Sequence, residues 1–227
     1  MPHERNYQPS DYVSGNNVLL GSMFAILFAY LIIAGIALGG GGGFGKMFWH
    51  RSKGGNYVEK FGFSSSMINM GIMGFIGVAY VFATGGHFNG CLFACIFTAV
   101  GFAANGVSVR MYLPTMIGVA IGALLTGGIA GAIAGESFVA AALVKVASRG
   151  MLLAAIFSCG MAPIVGEHGL LAGLFVGVVH SMLVPNTGAF HGFMSLYNNG
   201  LSMSLIATFL MPVYTLFGKK KEAPAAG

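Results

Sequence analysis

Charge is what this sequence has least of. Asp, Glu, Lys and Arg make up 7% of its 227 residues, against about 25% in a soluble domain. So little charge cannot cover a water-facing surface, which excludes an ordinary soluble domain and leaves lipid as the solvent for much of the outside. Cysteine is scarce too. Cys91, Cys95 and Cys159 all lie in apolar stretches, an odd set that argues against a disulfide framework. Catalytic signatures are missing as well: there is no G-x-S-x-G elbow, no HExxH pair and no phosphate-binding glycine loop. The Gly39–Gly43 run is no P-loop, because Lys46 is not followed by Ser or Thr. Soluble-type catalysis is therefore not expected, nor any cofactor.

What is present is apolar and small. Hydrophobic residues make up 56% of the chain and 37 residues are glycine, so the expected fold is an all-α, polytopic transmembrane helix bundle of about six to seven spans. The formal charge of +5 is concentrated where basic residues hold a cytoplasmic membrane face: Lys46, Arg51, Lys53 and Lys60 in one loop, Lys219, Lys220 and Lys221 in the tail. No basic face interleaved with aromatics appears, so a nucleic-acid partner is not expected.

Apolar runs mark the spans at roughly 20 residues each. A polar segment, 1–17, precedes the first, and no cleavable signal is evident. A single transmembrane domain then fills 18–217, followed by a basic tail, 218–227. The expected spans are Val18–Leu38, Ser66–Thr84, Tyr112–Ile133, Ile164–Val184 and Leu201–Phe217. The glycine run after the first should interrupt it, leaving a basic loop Lys46–Lys60 with Trp49 as an interfacial anchor. Phe138–Cys159 is long enough to cross but carries Lys145 and Arg149, each costing about 2.5–3.5 kcal/mol at mid-span. Either these face a polar interior, or Phe138–Ser148 is a separate short helix. This topology puts the N-terminus outside and the C-terminus in the cytoplasm, in a cell (inner or plasma) membrane.

Glycines recur at four-residue spacing, as in Gly118 and Gly122 or Gly169, Gly173 and Gly177. That spacing lines one helix face and lets neighbouring backbones approach closely.

Two segments are too short to cross. Cys91–Ala104 would extend roughly 21 Å against a core of about 30 Å. It follows a break at Gly85–Gly90 that supplies His87 and Asn89. Ala189–Tyr197, after Pro185-Asn186-Thr187-Gly188, brings His191, Ser195, Asn198 and Asn199 to the second break. Broken or re-entrant helices persist in a bilayer only inside protein or beside water, and half-helix ends can face a solute. The plainer alternative is surface turns, which favour Asn and Gly. Glu167 and His168, read as the start of a span after Pro163, are either a helix-end pair favoured by the N-terminal dipole or solute-binding groups. His180, deep in the same span, reads as hydrogen-bonded packing. His87, Cys91 and Cys95 share a face only if the helix already includes His87, so no metal site is expected.

Several elements resemble a known family. Asn69-Met70-Gly71, Gly86-His87-Phe88-Asn89-Gly90, Ala162-Pro163-Ile164-Val165-Gly166-Glu167 and His191 through Gly200 are similar to an uncharacterised family of bacterial multi-spanning membrane proteins, a domain of unknown function. More loosely, the two breaks resemble one half of a urea transporter, in which two inverted halves line a narrow pore. That resemblance implies a subunit that needs a second copy or a homologous partner.

The expected function is a transporter or channel subunit for a small polar solute, acting as a homo-oligomer. Its pore-lining residues would be Asn89, Glu167, His168, His191, Ser195, Asn198 and Asn199. The alternatives are a non-catalytic membrane scaffold within a larger complex, or a membrane-embedded enzyme using Glu167 and a histidine.

Overall fold

The computed structural model describes residues 17–52, 54–191 and 195–217. The polar N-terminal segment and the basic tail fall outside the described residues. In chain order the helices are α1 (Asn17–Ala37), α2 (Gly41–Trp49), α3 (Tyr57–Phe61), α4 (Phe63–Ala83), α5 (Gly90–Ala104) and α6 (Val109–Ile133). There follow α7 (Phe138–Ala147), α8 (Arg149–Phe157), α9 (Ala162–His168), α10 (Leu170–Thr187) and α11 (Ser195–Phe217). A 3-10 turn at Ser158–Met161 joins α8 to α9, and another at Gly188–His191 follows α10. The chain is an all-α helical bundle, embedded in a membrane. Among the described residues, 5 elements are long and apolar enough to cross: α1, α4, α6, α10 and the continuous stretch Arg149–His168.

Polar contacts gather the loops at two ends. At one end Asn17 of α1 donates to the Gly86 carbonyl (2.9 Å) and accepts from the Phe88 amide (3.0 Å), and Arg149 reaches the Cys91 thiol (3.2 Å). At the other end Ser65 of α4 donates to the Gly40 carbonyl (3.0 Å), Gly106 abuts Gly55, Gly166 abuts Ser52, and His168 stacks on Tyr214 at 4.9 Å. Lys46, Arg51, Lys60 and Arg110 stand at this second end, where Trp49 lies under the Arg110 guanidinium at 4.6 Å.

In three places the structure departs from the expected spans or decides between two readings of them. Gly41–Gly43, expected to break the chain, open the helix α2, so the basic segment is two short helices rather than a loop. A Cβ at Gly40 or Gly43 would overlap Ser64 or Ser65 of α4, so the absence of side chains is what lets α2 dock. Phe138–Cys159 is not one span. Ser148, extended at ψ 144°, ends α7 and starts α8, the second of the two readings of Lys145 and Arg149. Pro185 does not end α10, which continues to Thr187.

Close approach of helices fills the interior. A Cβ at Gly118 would overlap the Leu174 carbonyl and one at Gly177 the Thr115 carbonyl, so α6 and α10 touch backbone to backbone. Helix α1 is the least buried of the membrane-length elements. It is fastened by Phe28 over Gly74 and by Phe24 stacked on Phe93 at 4.3 Å.

Candidate functional site

The most buried membrane-length element is also the one that is interrupted. Its sequence explains the break. Pro163 has no N–H to give the Cys159 carbonyl an α-helical bond, and Gly160 has little helical preference. The Cys159 carbonyl instead accepts from Ala162, one residue earlier, closing a 3-10 turn. Pro163, in the first turn of α9, lets the helix resume. Ser158 and Cys159 bond back to the Ala155 (2.7 Å) and Phe157 (3.4 Å) carbonyls.

Polar groups of α6 meet this turn in the buried interior. Thr115 and Ser158, both fully buried, have hydroxyl oxygens 3.0 Å apart, and the buried Tyr112 hydroxyl donates to the Ile156 carbonyl at 3.2 Å. On the far side Gly160 leaves room for the Met203 thioether of α11.

A second polar seam joins α10 to α11. His180, fully buried, has Nδ1 2.9 Å from the Ser202 hydroxyl, and the Asn199 amide lies beside the same ring. Asn199 and Ser202 are three residues apart on α11 and so share a face. Thr187 bridges to the Asn198 carbonyl at 3.2 Å. Met161, Val176 and Ile206 pack together beside this seam and tie it to the interrupted helix.

The expected site residues are distributed as follows. Asn89 is the N-cap of α5, accepting from the Leu92 amide at 3.1 Å, and stands at the Asn17 end. Asn198 and Asn199 lie within α11; of the expected stub Ala189–Tyr197, the described residues are 3-10 turn up to His191 and final helix from Ser195. The side chains of His191 and Ser195 lie outside the described residues. Glu167 and His168 close α9 instead of opening the next span, because Gly169 at φ +91° turns the chain before α10. Glu167 therefore stands in the last turn of α9, where no N-terminal dipole favours a carboxylate. Both residues stand at the basic end, Glu167 exposed and His168 stacked on Tyr214.

Three central polar residues were not among the candidates. Asn69, fully buried on α4, donates to the Ala103 and Val107 carbonyls (2.9 and 2.8 Å) and so clamps the α5–α6 turn. Thr115 and Ser158 are isolated hydroxyls in apolar runs, which are ordinary in sequence. The available signal was Ser158 standing just before Gly160 and Pro163.

The family described as "Protein of unknown function (DUF1576)" matches residues 43–216. The chain belongs to this family. The match runs from α2 almost to the end of α11, so the interrupted helix and both polar seams lie within it, while α1 lies outside. No curated protein and no solved structure matches the chain.

Proposed function

We propose that this protein is a transporter or channel subunit for a small polar solute, acting as an oligomer. The observation that carries the reading is the interruption of Arg149–His168, the most buried membrane-length element, beside the Thr115–Ser158 hydroxyl pair. A helix broken inside a bilayer leaves backbone groups in need of partners, and transporters use such breaks where a solute binds. The His180–Ser202–Asn199 seam adds hydrogen-bonding groups on α10 and α11, which also touch the turn. Of the candidates read from sequence, Asn199 belongs to this seam. Asn89, Glu167 and His168 would act only at the two ends of a pathway. The oligomeric part of the reading rests on the resemblance to half of a two-half transporter.

The same reading puts the end carrying Lys46, Arg51, Lys60 and Arg110 on the cytoplasmic side of a cell membrane, supported by the bias of basic residues to that face.

The test is flux in proteoliposomes, beginning with neutral urea-sized solutes. The protein should raise flux above that of empty vesicles, and Thr115→Val should reduce it about tenfold, the loss expected when one buried hydrogen bond of roughly 1.4 kcal/mol is removed from the pathway. Flux equal to empty vesicles across a panel of small polar solutes would retire the proposal.

A further inference from the structure

A cleft of about 360 Å³ lies between α6, α7 and α10, lined by Thr126, Ala130, Lys145, Ser181, Met182 and Asn186 among others. It is separate from the interrupted helix. Lys145 supplies the single charge. It sits on the last turn of α7, whose 10 residues extend only about 15 Å, and its stem packs against Gly127. No hydrogen bond or ion pair to the Lys145 ammonium occurs among the described residues.

The other polar groups present mainly acceptors. The Thr126 hydroxyl donates to the Gly122 carbonyl (2.8 Å), the Ser181 hydroxyl to the Val178 carbonyl (2.7 Å), and the Asn186 amide to the Met182 carbonyl (2.7 Å). Their oxygens are left with free lone pairs. Ser181 is 1% exposed, so an occupant needs an anionic group for Lys145 and hydroxyl or amine donors for the Asn186 and Thr126 oxygens.

Position selects among such molecules. Asn186 is one residue from the end of α10, whereas Ser181, five residues further in, lies about 7.5 Å deeper. The cleft thus runs from the helix ends inward. Its apolar lining residues Ala130, Met182 and Pro185 are exposed, Met182 at 45%. In a membrane those side chains face acyl chains, so the cleft opens sideways into lipid.

We infer that this cleft is a binding site for an anionic glycerophospholipid with a hydroxyl-bearing headgroup. The phosphate pairs with Lys145, the headgroup hydroxyls donate to Asn186 and Thr126, and an acyl chain lies over Ala130 and Met182. A cation that would otherwise be costly below the helix ends is thereby neutralised.

The test is native mass spectrometry of the full chain, titrated with phosphatidylglycerol and, as competitor, the chain-free headgroup glycerophosphoglycerol. Lys145→Gln should weaken phosphatidylglycerol binding about fivefold, the equivalent of about 1 kcal/mol for one basic residue near an anionic lipid. Lys145→Arg should preserve binding. Ala130→Phe fills the cleft from its exposed side without changing charge and should also weaken binding, so the inference does not depend on Lys145→Gln folding. Unchanged binding in Lys145→Gln or in Ala130→Phe would overturn it. So would competition by the chain-free headgroup at concentrations equal to the lipid, which would mark a site for soluble anions.

Discussion

The hydroxyl oxygens of Thr115 and Ser158 lie 3.0 Å apart, joining α6 to the interruption of the most buried membrane-length element. Thr115 is also 2.8 Å from the Tyr112 carbonyl and Ser158 2.7 Å from the Ala155 carbonyl. Two hydroxyls hold only two hydrogens, so at any moment only two of these three hydrogen bonds are made. The arrangement can exchange donors without moving a heavy atom. A solute with its own donor or acceptor could enter the same exchange.

Thr115→Val and Ser158→Ala should each lower stability by about 1 kcal/mol, because each strands a buried partner. The double variant should lose less than the sum, since the partners disappear together. Thermal unfolding in detergent measures all three. Strict additivity would mean the two hydroxyls do not interact.

Asn69 should be the costliest single polar position. Asn69→Leu leaves the Ala103 and Val107 carbonyls without their donor, at about 1–3 kcal/mol each. Asn69→Asp is worse, because it points an acceptor at two acceptors. The expected readout is loss of the monodisperse peak on size exclusion for both variants.

The glycines divide into two groups that a Cβ distinguishes. Gly118→Ala and Gly177→Ala push α6 from α10 and should cost about 1–3 kcal/mol as overpacking. Gly101→Ala on α5 meets nothing within 4 Å and should be neutral, or stabilising by up to about 1 kcal/mol. Equal effects at Gly118 and Gly101 would contradict the close contact of α6 and α10.

His50, outside the spans, titrates below its ordinary range, first because of partial burial and second because of the Lys60 charge. The Lys60 ammonium donates to His50 Nε2 at 2.9 Å, which requires a neutral ring. The unfolded chain therefore binds the proton more readily, and this contribution to stability is complete above the unfolded value of about 6.5 and is lost as pH falls through the lowered folded value. Lys60→Met should raise the His50 pKa as followed by NMR. An unchanged pKa would show that burial alone sets it.

How much of this was legible in the sequence differs by residue. The helix stop at Thr84–Gly90 could be read directly, because glycines and an Asn N-cap act on neighbouring backbone whatever surrounds them. The charges of Lys145 and Arg149 likewise made a single span over them suspect, and the structure separates α7 from α8 there. Gly41–Gly43 misled, because a backbone with no intrinsic helical preference is held helical by Ser64 and Ser65 of a helix some twenty residues on. Glu167 and His168 misled for a related reason. Pro163 suggests the edge of one long span, whereas the chain restarts a helix at Ala162 and ends it before Gly169.

The sequence by itself determined that the chain is a membrane-embedded helical bundle. Composition settles that, because 7% charged residues cannot solvate a surface, and unpaired backbone in lipid leaves helices as the economical solution for such apolar runs. Tertiary structure alone decided which polar residues meet. Thr115 finds Ser158 across 43 positions, Asn69 finds Val107 across 38 and His180 finds Ser202 across 22. Those pairings depend on where glycine faces let helices close together and on how each helix is rotated. Both are properties of the whole packed bundle, and no local run of residues encodes them.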